Sequence, residues 1–240
     1  MAPMKDQAVV LARLDYSETS QVAVFFTRAH GQHRLLAKGV KRGTKKRFAP
    51  GIDLLERGEV VFLPSTRAEG GLGTLIEWRQ EDAYLGLRGD LRAWYAAQYG
   101  AQITAAMTEQ ADPHPELFDA LVSFLHSLGA RGRPIVNVVG YQRALLRAVG
   151  LWPDLTRCVA CGRPAPSHRA AYCSIRQGGL VCRACRPSCL DARLLDAATL
   201  DALRGENDDV PRLEAALKLL DDTIVDTIGR PTLLAGFELT

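Results

Sequence analysis

The chain has 240 residues, of which 47% are hydrophobic and 24% charged, and its formal net charge is +3. This length allows one large domain or two to three small ones, with enough apolar residues for a sizeable core. No apolar run approaches the roughly 20 residues that a membrane helix needs, and the N-terminus lacks the charged and apolar regions of a secretory signal. We therefore expect a cytoplasmic protein without membrane contact.

The small net charge hides an uneven distribution of charged residues. Residues 1–78 carry a net charge of +4, residues 79–156 of −1, residues 157–189 of +6 and residues 190–240 of −6. The third segment contains six basic residues and no acidic one. Two basic regions in a chain of this kind indicate a polyanionic partner, for which nucleic acid is the first expectation.

The N-terminal third predicts a small β-barrel. Five short runs have the apolar content and spacing of strands, and they are residues 9–11, 22–26, 34–37, 59–63 and 74–78. In the strongest run, Val22, Val24 and Phe26 alternate on one face. Five short strands in so short a segment favour an OB-fold barrel over residues 1–79, with a small open sandwich as the alternative.

A basic loop follows the third predicted strand. Residues 38–48 contain six basic residues, two glycines and no acidic side chain, and they show no helical or strand periodicity. At the mouth of a barrel of this class, such a loop can follow a phosphate backbone. The alternatives are a solvated basic loop or a localisation signal. The predicted DNA-binding residues are Arg34, Lys38, Lys41, Arg42, Lys45, Lys46 and Arg47.

Helical periodicity replaces strand periodicity near Glu81. Apolar residues at helical spacing predict helices over residues 83–108, 117–128, 135–149, 196–203 and 211–228. We assign residues 80–157 and 190–240 to one α-helical domain, which the cysteine-rich segment 158–189 interrupts. The predicted fold class is therefore α+β multidomain: an N-terminal OB-fold barrel and a helical domain with an inserted zinc module.

All six cysteines lie in the segment 158–189. Cys158 and Cys161 form one Cys-x-x-Cys pair, and Cys182 and Cys185 form a second pair after twenty intervening residues. This spacing is typical of a tetrahedral four-cysteine zinc site, because a two-residue gap lets both sulfurs of one turn face the same ion. We predict one structural zinc ion on these four residues. Disulfides or unliganded thiols are the alternatives, and a cytoplasmic location argues against disulfides.

The sequence contains no recognisable catalytic motif. His114-Pro115-Glu116 matches half of a zinc deaminase signature, but that signature requires a proline before the Cys-x-x-Cys pair. Arg157 and Val181 occupy those positions here. Four sulfur ligands also leave no open metal position for water. We therefore expect a protein that is not an enzyme, and a zinc hydrolase is the remaining enzymatic alternative.

Five segments carry a resemblance to a known family. Three lie in the predicted barrel: VLARLDYSE at 10–18, FTRAHG at 26–31 and AKGVKR at 37–42. Two lie around the cysteines: LLRAVGLWPDLTRC at 145–158 and GGLVC at 178–182. Together they resemble the RecO family of bacterial DNA repair and recombination proteins. The resemblance is dense in residues 8–42 and 145–185 and weak in the last 40 residues.

The resemblance implies an N-terminal OB-fold, a central helical domain and a zinc module. It also implies binding of single- and double-stranded DNA, annealing of complementary strands and a nucleoid-associated role as recombination mediator. In that role the family cooperates with RecR, engages the single-strand binding protein SSB and helps to load RecA. A nucleic-acid role carries over to Lys38, Lys41 and Arg42, which lie in a matched segment. Lys45, Lys46 and Arg47 are assigned on charge alone.

The remaining two cysteines and the main alternative function stay open at this level. Family members often carry an aromatic residue at the position of Cys173, so Cys173 is not expected to be a ligand. Cys189 is a possible substitute for Cys185, although the two-residue gap favours Cys185. The main alternative function is a zinc-ribbon adaptor that binds only protein partners and does not anneal DNA.

Overall fold

The computed structural model describes residues 2–42, 51–66, 71–130, 133–165, 169–206 and 209–236. Contacts within the chain divide it into two compact units, Met1–Gly132 and Arg133–Thr240. The division into barrel, helical domain and zinc module stays a prediction from the sequence. Among the helices of the described ranges, none combines the length and apolar character that a membrane span requires.

The first unit begins with a closed five-stranded barrel, which confirms the predicted OB-like barrel. Its strands are β1 (Met4–Asp15), β2 (Gln21–Thr27), β3 (Gly31–Ala37), β4 (Arg57–Leu63) and β5 (Gly73–Asp82). Their order around the barrel is β1-β2-β3-β5-β4. Strands β3 and β5 run parallel, and the other neighbours are antiparallel. All five predicted runs fall within these strands.

Alternation of buried and more exposed residues builds the barrel core, because successive side chains of a strand point to opposite faces. In β4, Val60 and Phe62 are fully buried and Glu59 and Val61 are not. Strand β2 is buried on both faces. Phe25 contacts Trp78 inside the barrel, with ring centroids 5.2 Å apart, whereas Phe26 contacts Phe118 outside it, at 6.1 Å. The apolar face of Val22, Val24 and Phe26 is therefore not the face that fills the barrel.

Two helices of the first unit pack against the barrel. They are α1 (Leu91–Met107) and α2 (Pro115–Gly129). Helix α1 starts eight residues later than predicted, because Tyr84 is in the left-handed region (φ 44°) and a short 3-10 helix, Leu85–Gly89, follows. The Asp90 carboxylate then caps α1 by accepting hydrogen bonds from the Arg92 and Ala93 amides.

The second unit combines three helices with a small sheet. The helices are α3 (Pro134–Ala148), α4 (Ala197–Arg204) and α5 (Val210–Ile228), as the sequence predicted within one or two residues. Helices α3 and α5 pack together, and their fully buried residues include Val138, Leu145 and Leu220. The sheet has the order β7-β6-β8 and was not predicted. Its strands, β6 (Ala171–Ser174), β7 (Gly179–Val181) and β8 (Arg193–Leu195), are too short to give a periodic pattern.

Candidate metal centre and nucleic-acid surface

Backbone pairing between two distant segments brings the two Cys-x-x-Cys turns together. The first turn and the chain before it pair with β7. The Leu180 amide donates to the Asp154 carbonyl at 2.9 Å, and the Val159 amide donates to the Leu180 carbonyl at 2.8 Å. Gly179 permits this approach, because a Cβ there would lie 2.6 Å from the Asp154 carbonyl oxygen. Strand β7 leads directly into Cys182, so the pairing places the second turn beside the first.

The four sulfurs of Cys158, Cys161, Cys182 and Cys185 all lie within 4.8 Å of one another. The Cys161 and Cys182 sulfurs are 3.8 Å apart. Metal–sulfur bonds of about 2.3 Å in a tetrahedron place ligand sulfurs about 3.8 Å apart. Gly162, with φ 72°, completes the first turn by donating its amide hydrogen to the Cys158 carbonyl at 2.8 Å. The four cysteines thus form a cluster that could hold a metal ion.

The surroundings of the cluster favour the thiolate form of Cys158 and Cys182 and oppose that of Cys185. Burial opposes ionisation of Cys158, but backbone amides, first that of Cys182 at 3.2 Å, lower the pKa of its thiol to about 6. Hydrogen bonding to the Cys182 and Cys161 sulfurs raises the pKa of Cys185 to about 12. Four close sulfurs cannot all carry negative charge unless a cation offsets their repulsion, which is the condition that a metal ion satisfies.

Cys173 and Cys189 do not belong to this four-sulfur cluster. Cys173 is buried in β6, and this burial raises the pKa of its thiol to about 11. Cys189 is buried against Cys158 and Val181 and contributes to a small apolar core beside the cluster. The structure therefore groups the four cysteines that the spacing selected, and their role as ligands remains a proposal.

The predicted DNA-binding residues fall partly within the described ranges. Arg34 is exposed on β3, and Lys38 is exposed just beyond the end of that strand. Lys41 lies in a short 3-10 helix, Val40–Arg42, and its Nζ is 2.9 Å from the Asp15 carboxylate. Only the backbone of Arg42 is described, and Lys45, Lys46 and Arg47 lie in the segment between residues 42 and 51, which the structure does not describe.

Lys41 lines a polar cleft of about 490 Å³ at the end of the barrel from which the basic loop extends. Arg13 near the end of β1 and Arg88 in the 3-10 helix after β5 also line it, and both form ion pairs with Asp53. Neither Arg13 nor Arg88 was among the predicted DNA-binding residues. Arg13 lies in a segment of family resemblance, whereas Arg88 lies in a stretch that periodicity assigned to a helix.

Tyr16 is another exposed residue near this cleft, and it was not among the predicted DNA-binding residues. Its side chain is 63% exposed, and it directly follows Asp15, the partner of Lys41. An exposed aromatic ring beside basic residues is the combination on which single-stranded nucleic acids stack. The described part of the barrel end therefore offers lysine and arginine side chains for phosphates and one aromatic ring for a base.

Taken together, the closed barrel, the helical second unit and the four-thiol cluster define a two-unit α+β protein of the OB-barrel class. Family models identify the particular protein family. The model described as "Recombination protein O N terminal" matches residues 1–84, and the model described as "Recombination protein O C terminal" matches residues 88–230. The chain belongs to the RecO family of DNA repair proteins, which confirms the resemblance found in the sequence.

Similar proteins named "DNA repair protein RecO" support this assignment over most of the chain. The one from Rhodopirellula baltica is 33% identical over 200 residues, which cover 82% of this chain and 72% of the relative. The one from Myxococcus xanthus is 29% identical over 234 residues, which cover 94% and 92%. The one from Bacillus subtilis is 29% identical over 181 residues, which cover 75% and 68%.

Proposed function

We propose that this protein is a DNA-binding recombination mediator that has no catalytic step of its own. It binds single- and double-stranded DNA and anneals complementary strands. With RecR, it helps to load the recombinase RecA on single strands coated by SSB, and it works at the nucleoid in the cytoplasm. The observation that carries the proposal is the exposed basic surface at one end of the barrel, around Lys38 and Lys41, in a chain of the RecO family.

Annealing requires no bond chemistry, so side chains that bind and orient two strands are sufficient. Two phosphate backbones repel each other, and lysine and arginine side chains reduce this repulsion and release condensed counterions. Lys38 and Lys41 act on the backbone of one strand, and Tyr16 supports its bases without reading their sequence. The +6 segment 157–189 is a second basic region, and it offers a surface for the other strand.

We further propose that the four-cysteine cluster holds one structural zinc ion. Cys158, Cys161, Cys182 and Cys185 would be its ligands, and zinc accepts four thiolates in tetrahedral geometry. A site with four protein ligands has no position for a reacting water molecule. The ion therefore fixes the two turns and β7 rather than taking part in a reaction.

Annealing of complementary oligonucleotides, each labelled with one fluorophore of an energy-transfer pair, tests the proposed function. The full chain should accelerate annealing over the protein-free rate, and Lys38→Ala/Lys41→Ala should reduce this acceleration. Lys218→Ala/Arg230→Ala is the matched control, because it removes two exposed positive charges from the second unit. A wild-type chain that leaves the annealing rate unchanged would contradict the proposal.

A protein-interaction adaptor is the second candidate function, and one observation favours it. An apolar cleft of about 360 Å³ lies beside the four-cysteine cluster, where Tyr172, Leu180 and Val181 contribute to its lining. Arg163 and Arg183 also line the cleft, so it suits a partner that presents apolar and acidic residues. If this cleft alone carried the function, the annealing rate would not change on addition of the protein.

A further inference from the structure

Two arginines at the barrel end converge on one carboxylate. Nε of Arg13 lies 3.1 Å from Oδ1 of Asp53, and a terminal guanidinium nitrogen of Arg88 donates to Oδ2 at 2.6 Å. Arg13 comes from β1 and Arg88 from the 3-10 helix after β5, so the barrel fold itself brings them together. Two guanidinium groups share a single carboxylate, and the group of three therefore keeps one net positive charge.

All three side chains can be reached from solvent. The exposed fractions are 44% for Arg13, 37% for Asp53 and 45% for Arg88. The backbone amide of Leu54 also donates to Oδ1 of Asp53, at 2.8 Å. Burial favours the neutral acid, but the Leu54 amide and the arginines outweigh it and keep the pKa of Asp53 below its usual value. Asp53 is thus an ionised group that a solvent-borne anion can replace.

A second ion pair lies at the edge of the same cleft and joins one basic side chain to one carboxylate. Lys41 lines the cleft, and its Nζ lies 2.9 Å from the carboxylate of Asp15, whose side chain is 61% exposed. The other carboxylate on the cleft, Glu56, is 7% exposed, and its two oxygens accept hydrogen bonds from Trp78 and Gln80. Glu56 is held in the floor of the cleft, so Asp15 and Asp53 are the carboxylates that can move away from their basic partners.

We infer that Arg13, Lys41 and Arg88 form a phosphodiester-binding subsite, which Asp53 and Asp15 occupy until the backbone of a nucleic-acid strand displaces them. A phosphodiester carries one negative charge on two free oxygens, as a carboxylate does, and guanidinium groups bind both in the same two-point geometry. The inference rests on the proposed function and adds to it the residues that contact the strand and the residues that compete with it.

If the Asp53 carboxylate competes with DNA for the two arginines, removing its charge should tighten DNA binding more than removing the charge of a distant carboxylate. Asp53→Asn keeps an oxygen that can accept from the Leu54 amide but removes the negative charge from the two arginines. We expect this variant to bind a labelled oligodeoxythymidylate about fivefold more tightly than the wild type. Glu77→Gln is the matched control, because Glu77 is exposed on β5, away from the cleft, and the charge change is the same.

A double-mutant cycle separates local competition from a general charge effect. In the Arg13→Gln/Arg88→Gln background, Asp53→Asn should no longer tighten binding, since no guanidinium remains to be released. The two arginine substitutions should also flatten the logarithmic salt dependence of binding by about 0.7 units, because both arginines contact one phosphate and each phosphate contact on a single strand contributes about 0.7. This second measurement does not depend on whether Asp53→Asn folds.

The outcomes distinguish this inference from the proposed function. The subsite is supported if Asp53→Asn binds DNA more tightly than the wild type and if this gain is absent in the Arg13→Gln/Arg88→Gln background. Three results would overturn the subsite while the wild type still binds DNA. They are unchanged or weaker binding by Asp53→Asn, an equal gain in binding by Glu77→Gln, and an unchanged salt slope in Arg13→Gln/Arg88→Gln. A wild-type chain that fails to bind single-stranded DNA even at low salt would overturn the proposed function as well.

Discussion

The barrel and the cysteine-rich segment hold their shapes by different means. The barrel encloses a core of large fully buried side chains, among them Phe25, Leu35 and Phe62, within strands of 7 to 12 residues. The cysteine-rich segment has strands of three or four residues and a core of Cys158, Val181 and Cys189. So small a core removes little apolar surface from water, and segments of this size generally need a metal ion or disulfides. We therefore expect the proposed metal ion to stabilise the cysteine-rich segment, whereas burial of apolar side chains stabilises the barrel.

Replacement of one of the four clustered cysteines should have the largest effect, and this effect should be confined to the second unit. We expect Cys158→Ser to lose the bound metal and to lose hydrogen-exchange protection in β6 and β7, because structural zinc sites contribute about 10 kcal/mol or more to folding. Protection in β1 to β5 should not change. Metal analysis and hydrogen exchange on the full chain provide the measurement.

Cys173→Ala is the control for this prediction, because Cys173 is a buried cysteine outside the four-sulfur cluster. This variant should keep its metal. If Cys158→Ser also lost hydrogen-exchange protection in the barrel strands, the barrel and the cysteine-rich segment would not be stabilised independently.

A cavity in the barrel core should destabilise the barrel and leave the cysteine-rich segment unchanged. Phe25 is fully buried and contacts Trp78, so Phe25→Ala should lower the free energy of unfolding of the barrel by about 3 to 5 kcal/mol. The metal content should stay at the wild-type value. Denaturant titration with metal analysis provides the measurement, and Leu14→Ala, at a side chain that is 69% exposed, should cost less than about 0.5 kcal/mol. Loss of metal from Phe25→Ala would show that the two regions are not independent.

Acid should weaken the barrel through His33, with a smaller effect. This side chain is 4% exposed, lies 4.6 Å from the Phe62 ring, and its Nε2 is 3.0 Å from the His30 carbonyl oxygen. Burial lowers the pKa of His33 below 6.5, so the folded barrel favours the neutral ring. The contribution of neutral His33 to the free energy of unfolding is fully present above pH 6.5. It is lost as the pH falls through the pKa of His33 in the folded barrel.

The measurement is the free energy of unfolding of the barrel from pH 7.5 down to pH 5. It should decrease with acidification in the wild type, and the decrease should be smaller in His33→Gln, which cannot titrate. An identical pH dependence in the two proteins would show that His33 does not contribute.

Elements with local signals were predictable from the sequence. A short apolar run at residues 59–63 identified β4, where every second residue is buried, and the two-residue spacing identified the four cysteines that the fold brings together. Helical periodicity located α2, α3 and α5 within a few residues. In the strands, the helices and each Cys-x-x-Cys pair, the residues that give the signal are close neighbours in the chain.

Features that depend on distant residues were not predictable. The outer face of β2 is apolar because Phe118 of α2 covers Phe26, and Arg88 meets a carboxylate 35 positions earlier in the chain. The late start of α1 depends on the left-handed Tyr84, which no residue preference indicates. Pairing across such distances is a property of the closed barrel, so single-sequence patterns do not contain it.

The salt dependence of single-stranded DNA binding tests the central claim, that the barrel end and its basic loop bind the phosphate backbone. Replacing Lys41, Arg42, Lys45 and Lys46 with alanine should flatten the slope of the logarithm of the binding constant against the logarithm of salt concentration. At about 0.7 per phosphate contact, we expect a change of about two units or more. An unchanged slope in this variant would remove the loop from the binding site and contradict the account.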